Sequence, residues 1–586
     1  MLRRRWFAIA LALWGCSSTS ASPWQPGQPL TIDVSSAFPG GTAVTDAYSG
    51  ATATVSSSGS VTLTPADAGV VLLEKSAASP TPFSWADATV YFVMTDRFFN
   101  GDTSNDNSYG RAKDGAQEIG TWHGGDFKGL TQKLDYIAQL GVTAIWISPA
   151  VEQVHGWVGG GSGDFKYYGY HGYWALDFTR LDANFGNAAD LTALVDGAHS
   201  RGIRVLLDVV LNHPGYATGD DLVSYLPSVF KDGTGAAFQS FAPGTGQTWL
   251  NWNDLVNYTS PNWQNWWSPS WIRAGLGPTG MFDPGGTTDQ TMSLQFLPDF
   301  KTESTTVANV PVFFSQKSDT GFKTDLGYTP RQYLVKWQTD WVRQFGFDGF
   351  RCDTAKNVEL GSWQALKVAG TAALQAWKTA NPAKKIDDAP FWMTGEVYGH
   401  GVAKDDYFVS GGFDSVINFD FQPAIRDLLT AQGTLEAGSA TLDTLYSNYA
   451  GLISGDANFD VLSYLSSHDT RLFFGDIAKY DAGVQRQAAT ALLLAPGGVQ
   501  IFYGDESGRR LGPAATDAVQ GTRSDMNWST IDQSILTHWQ KVANFRKRHA
   551  AVGTGTHLKL SSPGGTYAFS RKTAADALVV VLTAPQ

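Results

Sequence analysis

Four places in the chain set acids and histidines where they could do chemistry. Asp208-Val-Val-Leu-Asn212-His213, Arg351-Cys-Asp353, Glu396 and Ser467-His468-Asp469 each close a short apolar or β-branched run. One carboxylate at such an end reads as readily as a loop cap. Four runs aiming carboxylates and histidines at one rim need another explanation. Glycoside cleavage asks for that combination, with one ionised carboxylate as nucleophile and one protonated carboxyl as acid. Arg351 stands two residues before Asp353, so on a strand the two share a face. A fixed guanidinium favours the ionised Asp353. Glu396 follows an apolar run close to other carboxylates, and desolvation and like charge raise its pKa toward that of a general acid. Asp469 is then free to orient sugar hydroxyls and stabilise developing positive charge, with His213 and His468 as donors to those hydroxyls.

These residues need a frame that brings distant segments to one rim. From about residue 89 to 550, short β-branched runs alternate with longer helical patterns. The runs that read as strands are Thr89–Thr95, Thr143–Ser148, Arg204–Val209, Gly349–Cys352, Phe391–Glu396, Asp414–Asn418, Val461–Leu465 and Val499–Phe502. Helical patterns lie between most of them: Gly129–Leu140, Ala188–Arg201, Arg331–Phe345, Trp363–Thr379 and Val484–Leu494. Eight such units predict an α/β fold, a closed (β/α)8 TIM barrel, whose strands end at the catalytic face. The continuous apolar character of Ile203–Val210 fits strands buried on both faces. One connection, His213 to about Pro330, has no βα spacing and is long enough to form a subdomain.

The chain has 586 residues, too many for one core. Only 16% are charged and the net charge is −12. An acidic chain without a Lys/Arg patch repels phosphate backbones, which excludes nucleic acid as an expected partner. Arg3-Arg4-Arg5 followed by an apolar stretch from Trp6 to Trp14 reads as an export signal over residues 1–22, too short to span a bilayer. Leu13-Trp14-Gly15-Cys16 looks like a lipobox, with Cys16 as the lipidated residue and periplasm or outer membrane as the destination; cleavage after Thr19-Ser20-Ala21 is the alternative. Membrane contact is expected only through that anchor, and the protein is expected to be a monomer. With Cys16 used or removed, Cys352 has no disulfide partner.

The ordered motifs resemble the α-amylase family, glycoside hydrolase family 13. Besides the four already given, Gly141-Val-Thr-Ala-Ile-Trp-Ile-Ser-Pro149, Leu297-Pro-Asp299 and Gly497-Gly-Val-Gln-Ile-Phe-Tyr-Gly504 occur in family order. The resemblance implies Asp353 as nucleophile, Glu396 as acid/base and Asp469 as transition-state stabiliser. It implies substrate contacts from Tyr173, Asp208, His213, Arg351, Lys356, Asn357 and His468, and a small domain B at about 213–330 after the third strand. It also implies retaining hydrolysis of α-1,4-glucosidic bonds in starch or maltodextrins. Transglycosylation by the same triad is the nearer alternative, and a catalytically inactive binding barrel the remoter one. Two departures stand out. Asn357 replaces the His of many relatives and bears on the leaving-group side, with Lys356; Cys352 is unusual before the nucleophile.

Asn100-Gly-Asp102-Thr-Ser-Asn105-Asp106 packs oxygen donors closely. By itself the run reads as a solvated Asx-rich turn. With Gly124-Gly-Asp126 it resembles the first calcium site of cyclodextrin glucanotransferases and related amylases. That resemblance implies Ca2+ held by Asn100, Asp102, Asn105, Asp106, Asp126 and the Gly124 carbonyl, and a second ion at Asn212, Asp299 and the Asn357 carbonyl.

Both ends read as antiparallel β structure: Thr31–Val34, Ala51–Val55, Ser60–Leu63 and Val70–Glu74 at one, Leu558–Leu560, Tyr567–Ser570 and Ala577–Leu582 at the other. Asp46-Ala-Tyr-Ser-Gly50 and the strands after it are similar to the closing part of the family's C-terminal β domain, at the wrong end of the chain. The expected layout is residues 23–80 and 551–586 as two halves of one permuted C domain around a catalytic barrel at 81–550. It resembles that of periplasmic maltodextrin amylases. A separate N-terminal carbohydrate-binding module is the rival reading.

Overall fold

The computed structural model describes residues 24–76, 81–111, 120–160, 164–275, 285–512 and 518–586. The expected export signal with Cys16 lies outside the described residues. Eight parallel strands close a barrel: β1 (Thr89–Val93), β2 (Ala144–Ile147), β3 (Arg204–Val209), β4 (Gly349–Cys352), β5 (Trp392–Gly395), β6 (Ser415–Asn418), β7 (Val461–Tyr464) and β8 (Gly498–Phe502). They neighbour one another in chain order, with β8 beside β1. Each sits within two residues of its expected run, because a strand buried along its whole length is mostly apolar or β-branched, with polar residues only at particular positions such as Asp208 and Arg351. The register sets Asp208 on β3 opposite Arg351 on β4, and Arg351 opposite Thr394 on β5.

Local chemistry sets the flanking helices. Pro330–Phe345 starts on a reciprocal Thr329/Gln332 capping box with Pro330 at its first position, and ends on left-handed Gly346 (φ 81°). Ala188–His199 opens on Asn187 and Asp190 in the same way. Leu360–Ala380 and Ala482–Leu493 complete the expected set. The run expected as one helix over Gly129–Leu140 is two, Phe127–Gln132 and Leu134–Gln139. Asp126 caps the first by accepting from Gly129 N. The break falls at Lys133, whose ammonium lies over the Phe99 and Trp528 rings (3.9 and 4.2 Å).

Two connections are long, where the sequence suggested one. After β2, Val151–Gln153 pairs with Ala175–Leu181, and Trp157–Val158 with Tyr167–Tyr168. After β3, the chain runs through short helices and the pair Ile272–Ala274/Asp299–Phe300 before Pro330. Trp263, Trp266, Trp267 and Trp271 are buried here, so the Trp-rich composition of this insertion is core material.

The chain ends meet in one antiparallel sheet of six strands: Thr556–Lys559, Thr566–Lys572, Ala577–Thr583, Val70–Lys75, Ala43–Asp46 and Thr52–Thr54. Val580 pairs with Leu72 and Val581 with Val71, joining the two ends through four residue pairs. Leu30–Asp33 and Ser60–Leu63 form a second small sheet, and Val44, Val61, Val71, Leu73, Val579 and Val581 make the core between them. Ala43–Asp46 was not legible as a strand, because it carries one buried apolar side chain, Val44.

Candidate active site

Arg351 is the hub of the barrel mouth. Its Nη1 donates to Asp208 Oδ1 and Oδ2 (both 3.0 Å) and to Asp353 Oδ1 (2.7 Å), and its Nη2 lies 2.9 Å from Glu396 Oε2. Beyond β4 the chain turns at Thr354, which is left-handed (φ 48°) without being glycine. That turn aims Thr354 N at Glu396 Oε2 (3.1 Å), so the Glu396 carboxyl accepts from the residue next to Asp353. Asp208 is further held by Tyr173 Oη (2.7 Å) and Trp146 Nε1 (2.9 Å). Asp469, after β7, lies 2.9 Å from His468 Nε2 and accepts from Arg523 Nη2 (2.6 Å). Tyr173 stacks on His468, centroids 5.2 Å apart.

The environments separate the three carboxyls. Burial pushes Asp353 up to about 6 against the pull of Arg351. The guanidinium therefore limits the rise without reversing it, because it is shared with Asp208 and Glu396. Burial pushes Glu396 higher, to about 7, with Arg351 lowering it and Asp353 and Asp469 raising it. Burial also disfavours charge on Asp469, but His468, Arg523 and Arg351 outweigh it and hold the carboxyl well below the usual range. His213 is pushed down to about 4 by burial and stays neutral near pH 7.

These groups face a cavity of about 600 Å3. Of the residues expected at the site, Asp353, Glu396, Asp469, Tyr173, His213, Lys356 and Asn357 line it. Asp208, Arg351 and His468 are buried beside the lining carboxyls; His468 lies against Asp469 and Tyr173, and its buried Nδ1 has no hydrogen-bond partner among the described residues. Lining residues that sequence reasoning missed include His171, Trp174, Tyr398, Gln520 and Arg523. Arg523 contacts a carboxylate 54 positions away, and nothing in its spacing marks it.

The two expected ion sites differ in how their oxygens are engaged. Buried Asn100 Oδ1 and Asn105 Oδ1 have no hydrogen-bond partner. A Cβ at Gly124 would stand 2.3 Å from Asp106 Oδ1, so that backbone and carboxylate are in close approach. Asp102 is instead paired with Lys128 (2.5 Å), and Asp126 accepts from Gly101, Asp102 and Gly129 N. At the second site, the Asn212 amide faces the Asn357 carbonyl (3.1 Å) and Asp299 Oδ1 (3.3 Å). With its nitrogen inward it donates to both; with its oxygen inward three oxygens face one another. Asp299 also accepts from Arg273 Nε (2.7 Å). Among the described residues no three His, Cys, Asp or Glu side chains converge as a metal cluster, so amide and carbonyl oxygens would have to supply much of either site.

A parallel barrel with buried carboxyls and arginines gathered at the C-terminal ends of its strands defines a glycosidase-type site. The family described as "Alpha amylase, catalytic domain" matches residues 92–268 and 312–530. The chain belongs to the alpha-amylase family. It is 51% identical over 580 residues to the periplasmic alpha-amylase of Escherichia coli (strain K12), covering 96% of this chain and 82% of that protein. It is 27% identical over 510 residues to a cyclomaltodextrinase of a Bacillus species, covering 86% of this chain and 73% of that one. The solved alpha-amylase from Geobacillus thermoleovorans complexed with acarbose shares the fold, with a TM-score of 0.57 and 22% identity, covering 85% of this chain and 87% of that one.

Proposed function

We propose that the protein hydrolyses α-1,4-glucosidic bonds of maltodextrins with retention of configuration. The observation that carries this is the Arg351 bridge between Asp353 and Glu396, with Glu396 also reaching Thr354 N. Carboxyls held side by side in this way fit a retaining pair, ~5–5.5 Å apart, better than an inverting pair opened for water. In this reading the ionised Asp353 attacks the anomeric carbon while protonated Glu396 gives its proton to the departing glycosidic oxygen. Glu396 then takes a proton from the incoming water, whose oxygen displaces Asp353 and restores both carboxyls. Asp469, kept charged by Arg523, holds sugar hydroxyls and the oxocarbenium-like charge. Neutral His213 donates to a hydroxyl, and Lys356 and Asn357 face the leaving-group side.

The orphaned Asn100 and Asn105 oxygens fit a calcium ion with Asp106 and the Gly124 carbonyl, Asp102 and Asp126 turning to it when it binds. The Asn212, Asp299 and Asn357 oxygens fit a second. Either ion would brace loops and take no part in bond breaking. The relative named as periplasmic supports an exported, periplasmic destination, and the Cys16 anchor and a monomeric state belong to the same reading. The sheet shared by residues 24–76 and 556–583 supports a permuted C domain over a detachable N-terminal module.

Product analysis on maltoheptaose, starch, pullulan and cyclodextrin tests the function. Linear maltodextrins released first as the α-anomer are expected, and Asp353→Asn is expected to lose at least about 10^3-fold in kcat. Undiminished activity in that variant overturns the nucleophile assignment, and cyclic or chain-lengthened main products overturn hydrolysis in favour of transglycosylation.

A further inference from the structure

We propose that Asp289 is a positioning residue for the leaving-group side of the cleft: it holds Lys356 in place for the sugar beyond the scissile bond. The proposal rests on the reading of Lys356 as a leaving-group-side contact. Asp289 lies in a turn whose arms are closed by the Gly285/Met292 bridge and by Gly286 N donating to Thr291 O (2.7 Å). Two contacts fix this turn to the segment that follows the nucleophile. Asp289 Oδ2 is 3.1 Å from Lys356 Nζ, and the Asp289 carbonyl accepts from Asn357 Nδ2 (2.7 Å). Lys356 and Asn357 both line the cavity.

The side chains of Lys356 and Asp289 are 42% and 48% exposed, so their ion pair adds little to folding stability. Its effect is on order. A lysine ammonium on a four-carbon stem is mobile and has three donors. Once one donor is given to Asp289, the stem is confined against the cavity wall and two donors remain for sugar hydroxyls. Without Asp289, bound substrate has to order the side chain itself, and that cost enters binding. Asn357 completes the arrangement. Its side-chain amide supplies the donor that fixes the Asp289 backbone, while its own carbonyl faces Asn212. The Asn that departs from the family pattern thus ties the 285–292 turn to the floor of the cleft.

The test compares maltoheptaose, which fills the leaving-group side with glucose, with maltotriosyl fluoride, whose leaving group is fluoride. In the full chain, Asp289→Asn is expected to raise KM for maltoheptaose about five-fold with kcat within about two-fold. The maltotriosyl fluoride constants are expected to hold, Asp289→Glu to restore most of the loss, and Asp289→Asn to add nothing in a Lys356→Met background. Equal effects on both substrates, or effects of Asp289→Asn and Lys356→Met that multiply, overturn the proposal. If Lys356→Met raises the maltoheptaose KM and Asp289→Asn does not, the proposal alone falls. If Lys356→Met leaves that KM unchanged, the leaving-group reading of Lys356 falls and takes the proposal with it.

Discussion

One guanidinium serves three carboxylates at the mouth of this barrel, and that sharing sets the protonation pattern. Arg351 cannot compensate the burial of Asp208, Asp353 and Glu396 in full, so each is pushed up, Asp353 to about 6 and Glu396 to about 7. Asp469 has Arg523 and His468 beside it in addition to the field of Arg351 and stays charged. The sign of the pH dependence follows. Below about 6 Asp353 takes up a proton and the nucleophile is lost; above about 7 Glu396 loses the proton it must donate. The expected kcat/KM profile is a narrow bell with its maximum between these values, belonging to the coupled pair. A plateau extending past pH 9 contradicts the assignment of Glu396 as acid. At this scale the sequence was most legible where a motif joins a charged residue to a strand end. Arg523 was not, because its partner Asp469 is distant in the chain and the two meet only when the β7 and β8 loops fold over one mouth.

Each barrel strand delivers its residue through a specific turn. In the turn after β4, Thr354 is left-handed between Asp353 and the short helix Ala355–Asn357. The strands themselves were readable because burial on both faces makes them mostly apolar or β-branched. The broken helix at Lys133 was not, since the cation–aromatic contact that marks the break involves Trp528, almost 400 residues on. The insertion after β2 was missed because the partners that define it, Val151–Gln153, Trp157–Val158 and Tyr167–Tyr168, are two or three residues long, and only Ala175–Leu181 is a full strand. The oxygen-lined loops make a prediction of their own. Two buried amide oxygens without partners are costly unless a cation or water meets them. Exhaustive chelation is expected to lower Tm by at least about 2 °C, with recovery on adding Ca2+. An unchanged Tm and activity after chelation contradicts an ion at either loop.

At the scale of the molecule, the two chain ends share one sheet, and one histidine adds a clamp between both ends and the barrel. His549, beyond the last barrel helix, meets Glu74 Oε2 (2.6 Å) and Asp576 Oδ1 (2.9 Å), one from each half of the terminal sheet. Burial disfavours its charge, but hydrogen bonds to the two carboxylates outweigh it and raise its pKa above the ordinary 6.5. Asp576 and Glu74 are lowered, burial being outweighed at Asp576 by His549 and at Glu74 by His549 together with Arg548, whose Nη2 is 3.0 Å from Glu74 Oε2. The stabilisation is therefore complete below about 6.5 and lost as pH rises through the raised histidine value, while on the acid side it fades as the lowered carboxylates protonate. His549→Gln is expected to lower Tm by about 2–4 °C at pH 5.5 and by less than half of that at pH 8.5. An equal loss at both values indicates packing alone. The clamp also predicts that removing residues 1–80 destabilises the barrel, because it strips Glu74 and the strand Val70–Lys75 from the middle of a sheet; a barrel of unchanged Tm indicates a detachable module. The sequence showed that both ends are β structure, but the clamp joins residues 475 positions apart and carries no local signal.

The central claim is that Asp353 forms the covalent bond and Glu396 governs its release. Glu396→Gln treated with α-maltotriosyl fluoride tests it directly, because fluoride leaves without an acid while water still needs the missing base. Mass spectrometry of the peptides is expected to find one maltotriosyl group on the peptide carrying Asp353 and none on those carrying Asp208 or Asp469. Adduct on either of the other carboxylates, or fluoride release with inverted product and no adduct, contradicts the account.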